Sequence, residues 1–151
     1  MKEEREIVEI SLEFCHLEAK MPRYAKQGDA GMDIYAVEDL LVKPGQTVIV
    51  RTGLKIAIPL GYEIQIRPRS GMSLQTPLRV ANSPGTIDAG YRDEVGIIMY
   101  NTSQSQEYQI KKGDRVAQMV LQKVPQIHWV SVKSVQEIGI DRGGGFGSSG
   151  E

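Results

Sequence analysis

Apolar and polar residues alternate with a period of two in block after block of this chain, the pattern of strands that bury one face. Val8, Ile10, Leu12 and Phe14 interleave with Glu9, Ser11 and Glu13, which predicts a strand from Val8 to Phe14. The same reading predicts strands over 32–37, 47–51, 53–58, 62–67, 78–81, 95–100, 107–110, 115–124 and 127–132, with Asp33 and Tyr35 sharing a face. Lys43-Pro44-Gly45-Gln46, Pro59-Leu60-Gly61 and Lys111-Lys112-Gly113-Asp114 read as turns, because Pro presets one backbone angle and Gly tolerates the left-handed region. The best candidate for a helix is short, Ser70 to Leu74, with Ser70 placed to cap it. Turn signals spaced roughly 8–12 residues apart predict an all-β fold, a sandwich or barrel, rather than a doubly wound α/β fold.

Residues 142–150 break the pattern. Arg-Gly-Gly-Gly-Phe-Gly-Ser-Ser-Gly is too rich in glycine to pack a core, which predicts a β domain over 1–141 followed by a flexible Gly-rich C-terminal arm over 142–151. A disordered tail is the plain reading. Phe146, costly to leave in water, and Arg142 with two serines, a good anion grip, point to a functional arm instead.

Composition narrows the class. At 151 residues with 40 % apolar content, the chain suffices for one domain with a real core. A net charge of −1 argues against a general nucleic-acid binder. The single cysteine, Cys15, excludes an intramolecular disulfide and reads as a small buried hydrophobe. No apolar run suits a signal peptide or a membrane span, so the expected location is cytoplasmic, with no membrane partner. Trp129 reads as packing at a sheet edge or an interface.

Four stretches carry candidate chemistry. Gly85-Thr86-Ile87-Asp88-Ala89-Gly90-Tyr91-Arg92 puts a carboxylate and an aromatic ring in a Gly-punctuated hairpin between Val80 and Val95–Tyr100. Its backbone could read a flat polar ring, or it could be a surface hairpin with a solvated Asp88. Arg69-Ser70-Gly71 opens the short helix, where free amides and a guanidinium suit phosphate; a surface ion pair is the alternative. Gln118 sits in an apolar strand and needs a partner, either a ligand phosphate or a protein carbonyl. Asp33 follows a tight turn and could touch a hydrated magnesium ion or cap that turn. The chain has no Walker loop and no nucleophile elbow, which leaves phosphate chemistry with water as nucleophile and Asp88 as base.

With these residues in place the chain resembles the trimeric deoxyuridine triphosphate nucleotidohydrolases (dUTPases). The family's five motifs occur in order as Ala30 to Ala36, Pro68 to Ser73, Gly85 to Arg92, Gly113 to Gln118 and Arg142 to Gly150. Asp93 stands where the family usually has Gly, and the spacing between Arg142 and Phe146 is one residue shorter than the family pattern. The resemblance implies a jelly-roll-like β fold and a homotrimer with sites at subunit interfaces. It implies hydrolysis of dUTP to dUMP and pyrophosphate with Mg2+. Asp88 would activate water, Asn82 bind uracil and Tyr91 stack on the deoxyribose. Arg69, Ser70, Gly71 and Gln118 would hold phosphates, and Asp33 would hold magnesium through water. Phe146 would cover the uracil, while Arg142, Ser148 and Ser149 would grip phosphates in a neighbouring site. The related dCTP deaminases place a catalytic Glu three residues before an Asn; here the residue three before Asn101 is Ile98, which can do no acid–base work. A non-catalytic nucleotide-binding module is the other alternative.

Overall fold

A computed structural model describes residues 4–147 and 150. Eleven strands and one short helix follow in chain order: β1 (Ser11–Phe14), β2 (Gly31–Tyr35), β3 (Leu40–Val42), β4 (Thr47–Arg51), β5 (Leu54–Ala57), β6 (Tyr62–Arg67), α1 (Ser70–Gln75), β7 (Leu78–Val80), β8 (Gly85–Ile87), β9 (Gly96–Asn101), β10 (Tyr108–Ile110) and β11 (Arg115–Lys123). The fold is jelly-roll-like. A four-stranded sheet runs β2-β11-β6-β8 and a three-stranded sheet β4-β9-β7, with two-stranded ribbons β1-β5 and β10-β3, and every strand pair is antiparallel.

The longest strand, β11, pairs on both sides, with β2 and with β6. Its inward side chains meet those of the second sheet, and Ile34, Val50, Leu54, Leu78, Ile97, Met99, Ile110 and Val116 are almost completely withdrawn from water. Truncating one such aliphatic to Ala would cost about 2–5 kcal/mol, the lost transfer energy plus the cavity left behind. One buried amide belongs to this frame. Asn101 donates from Nδ2 to the Val42 and Gln106 carbonyls at 3.0 and 2.9 Å, while its Oδ1 accepts from Ser103 N–H at 2.9 Å.

Several expectations change. The Val8–Phe14 strand is ordered as β1 only from Ser11, where β5 supplies a ladder. Ser70 does not cap α1: Arg69 occupies the capping position and no side-chain hydrogen bond is made there. Residues 127–132 form no strand, because none of the described residues pairs with them. From Lys123 to Gly147 every residue is exposed, Trp129 at 84 %, so the described residues leave its ring uncovered. Cys15 is half-buried, and its thiol donates to Glu94 Oε1 at 3.5 Å.

The hairpin around Asp88 is also built differently. Its flanks pair as expected, β7 with β9, Val80 opposite Met99. The connection between them, however, carries β8, which joins β6 in the other sheet, Ile87 opposite Ile64 and Gly85 opposite Ile66. Gly85 and Ile87 are buried while Thr86 between them is exposed, so alternation within three residues drives the detour.

Candidate active site

β8 is an edge strand of its sheet, paired on one side only, and the backbone groups of its free edge remain to be satisfied. Asp88 follows it directly. Tyr91 N–H donates to the Asp88 carbonyl at 3.1 Å, which closes a turn and brings the ring back toward the strand. Asn82 enters from the other end: Ala81 N–H bonds the Ile98 carbonyl at 2.8 Å, which delivers the next residue beside β9. Asn82, Thr86, Ile87, Asp88, Tyr91, Val95, Gly96 and Ile98 line one cleft of about 190 Å³. Asp88 is exposed there and makes no side-chain hydrogen bond or ion pair among the described residues, so its oxygens are available to a water or ligand.

The far end of this loop is fastened to the strands beneath it. Tyr91 Oη donates to the Glu94 carbonyl at 2.8 Å. The Glu94 carboxylate receives Arg51 Nη2 at 3.0 Å, Arg51 Nε at 3.2 Å and Gly53 N–H at 3.2 Å. Arg51 holds the Glu94 carboxyl below its ordinary range, against the opposing effect of burial and with help from the Gly53 amide. Burial, then the nearby Glu94 charge, pushes the Cys15 thiol up, which makes it a poor nucleophile. Motif reading missed both Arg51 and Glu94, since a pair 43 residues apart leaves no local signal.

A second cleft, about 510 Å³, is lined by Arg69, Gly71, Met72, Gln75, Thr76, Tyr108, Gly113, Asp114 and Arg115. Arg69 Nε donates to Asp33 Oδ1 at 2.8 Å, and Arg115 Nη1 lies 3.6 Å from Asp33 Oδ2. Asp33 therefore orients two guanidinium groups. Gln118 resolves its open partner in favour of a carbonyl: Nε2 donates to Pro68 O at 3.0 Å and so fixes the residue before Arg69. Gly31 makes this geometry possible, because a Cβ there would run into Gln118 Oε1.

The expected residues thus fall into two groups within one chain. Asn82, Asp88 and Tyr91 share the first cleft, and Arg69 and Gly71 line the second with Gln118 behind them. Arg142 and Phe146 are exposed, and Ser148 and Ser149 lie outside the described residues.

Residues 17–150 match the family model described as dUTPase. The chain belongs to the dUTPase family. It is 45 % identical over 135 residues to the deoxyuridine 5'-triphosphate nucleotidohydrolase of Clostridium tetani, which covers 89 % of this chain and 91 % of that one. The Clostridium kluyveri relative of the same name is 44 % identical over 145 residues, covering 95 % and 99 %. Among solved structures, the dUTPase of Staphylococcus bacteriophage 80alpha with dUPNHPP superposes with a TM-score of 0.86 at 28 % identity, covering 95 % of this chain and 99 % of that chain. A dUTPase variant from phage phi11 of S. aureus, described for its coordination of a structural Mg(II) ion, does so at 0.78 and 26 %, covering 84 % and 98 %. The protein is an enzyme, a dUTP nucleotidohydrolase.

In this dUTPase the donor set for magnesium is narrow. No group of three His, Cys, Asp or Glu side chains among the described residues could hold a metal. The two oxygens of Asp33 already face Arg69 and Arg115. That fits a hydrated ion touched through water and carried on substrate phosphates; it does not fit a dehydrated ion held by the protein alone. No helix among the described residues is long and apolar enough to cross a membrane.

Proposed function

We propose that Asp88 activates the water that cleaves dUTP to dUMP and pyrophosphate, which limits uracil in DNA and supplies dUMP for dTMP synthesis. The observation that carries this reading is the single cleft uniting Asn82, the free edge of β8, an unencumbered Asp88 and Tyr91. Asp88 takes a proton from water as the water oxygen bonds the α-phosphorus, and the bond from that phosphorus to the bridging oxygen breaks, releasing pyrophosphate. No histidine lies in the cleft to replace it as base.

Recognition follows from hydrogen-bond arithmetic. Asn82 and the unpaired edge of β8 present groups that can complement the carbonyl–NH–carbonyl edge of uracil. Cytosine would set a donor against a donor and leave both unpaired, at about 1–3 kcal/mol per buried group. Tyr91 lies against the sugar and leaves no room for a 2′-hydroxyl.

Arg69, Ser70 and Gly71 hold the phosphates in this reading, with Gln118 fixing Pro68 beside them, and magnesium, when bound, supplies charge compensation there with Asp33 touching it through water. The separation of the nucleoside cleft from the Arg69 cleft supports a homotrimer in which facing subunits complete each site. The exposed run with Ile127, Trp129, Val130 and Val132 supports it too, since that much apolar surface favours a partner chain. The arm then delivers Arg142, Phe146, Ser148 and Ser149 to a neighbouring subunit's site, where closure expels water.

Pyrophosphate release from dUTP, UTP and dCTP, each with magnesium, tests the proposal. Release confined to dUTP and dependent on Asp88 is the expected result. Equal release from dCTP would remove the uracil-reading role of the cleft, and binding without release would leave only a nucleotide-binding module.

A further inference from the structure

We propose that Glu94 is a positioning residue for the nucleoside cleft: clamped by Arg51, it fixes the carbonyl that receives the Tyr91 hydroxyl. The inference rests on Tyr91 acting as the sugar filter. The contacts form a chain. Arg51 stands at the end of β4 and meets the Glu94 carboxylate through Nη2 at 3.0 Å and Nε at 3.2 Å. The Gly53 amide adds a third donor at 3.2 Å.

The neighbouring residue is tied down as well. Val95 N–H bonds the Leu54 carbonyl at 2.8 Å, and Thr52 Oγ1 donates to the Val95 carbonyl at 2.5 Å. The loop's far end is therefore held by six hydrogen bonds to residues 51–54, and Tyr91 Oη reaches this anchored point at 2.8 Å. Gly53 has φ +70, and a Cβ there would come within 2.7 Å of both His16 and Ala19, so the turn that presents its amide admits only Gly.

A side chain that only stabilises the fold would change the amount of active enzyme and scale both substrates alike. A positioning residue changes the ratio of kcat/KM for dUTP to that for UTP, which does not depend on active concentration. We expect Glu94→Gln, near-isosteric but unable to pair with Arg51 as an ion, to lower that ratio about fivefold. Tyr91→Phe removes the hydroxyl at the other end of the chain. In the double variant the ratio should fall no further than in the more affected single variant, because both break one linkage.

A ratio within twofold of wild type for Glu94→Gln, or losses that multiply in the double variant, would overturn the proposal. Tyr91→Ala separates the two layers: an unchanged ratio there would sink the sugar filter itself, whereas a changed ratio there with none in Glu94→Gln would sink only the clamp. Should Glu94→Gln fail to fold, Arg51→Lys loosens the same clamp from its other end, and the same ratio decides.

Discussion

Substituting Gly31 by Ala should loosen Arg69 without touching it. Gly31 lies on β2 opposite Val120, and an added Cβ would meet Gln118 Oε1, with Gln118 Cδ and Val120 Cγ2 both at 3.3 Å. The amide is the far end of a flexible side chain, so it turns away and gives up its 3.0 Å hydrogen bond to Pro68 O. That bond contributes about 1 kcal/mol net. Crowding against Val120 and Gln118 adds about 1 kcal/mol. The stiffer unfolded chain returns about 0.4–1 kcal/mol. The net loss is about 1–2 kcal/mol, a fall in Tm of roughly 2–8 °C for a protein of this size. Scanning calorimetry of Gly31→Ala, Gln118→Ala and the double variant isolates the cause. In the Gln118→Ala background the Gly31 substitution should cost under about 0.5 kcal/mol, a coupling of about 1 kcal/mol. KM for dUTP should rise in both single variants, since Pro68 no longer sets the Arg69 backbone. Fully additive losses would refute the reasoning, because the Cβ would then be acting on something other than Gln118.

Other outcomes follow from the same contacts. Deleting residues 142–151 should lower kcat by orders of magnitude yet shift Tm by less than about 2 °C, because residues 142–147 are all exposed and add nothing to the core; circular dichroism melts and steady-state kinetics check both. Asn101→Ala should cost roughly 3–5 kcal/mol in urea unfolding, since it strips partners from the Val42, Gln106 and Ser103 backbones. Glu94, with its folded pKa lowered mainly by Arg51, contributes stability that is complete above its unfolded value, about 4.3, and is lost as pH falls through the lower folded value. Glu94→Gln should therefore flatten the fall of Tm as pH drops below the unfolded value of about 4.3.

The strand pattern was legible where alternation met firm punctuation. β6 has the bounds predicted, Tyr62 to Arg67, because Gly61 precedes it and Pro68 ends it. β3 was invisible: three residues, Leu40–Val42, carry no period, and only pairing with β10 makes them a strand. The opposite error befell residues 127–132, whose alternation states that one face is apolar but not what covers it. At Asp88 the flanking strands paired as read, while the turn between them was drawn away by β6.

The site divides along the same line. Asn82, Asp88 and Tyr91 lie close in sequence, so a motif could announce them. Asp33 with Arg69 and Arg51 with Glu94 are long-range pairs that only folding brings together. Gln118 was recognised as a polar residue in need of a partner, and the fold chose Pro68 O.

The water-activating role of Asp88 is tested most directly by purified Asp88→Asn assayed with dUTP and magnesium, for pyrophosphate release and for binding by calorimetry. The amide keeps the shape of the cleft and cannot accept the water's proton. Binding should stay within a few-fold of wild type while turnover falls by at least about a thousandfold. Turnover within tenfold of wild type would contradict the account, because some other group would then be activating the water.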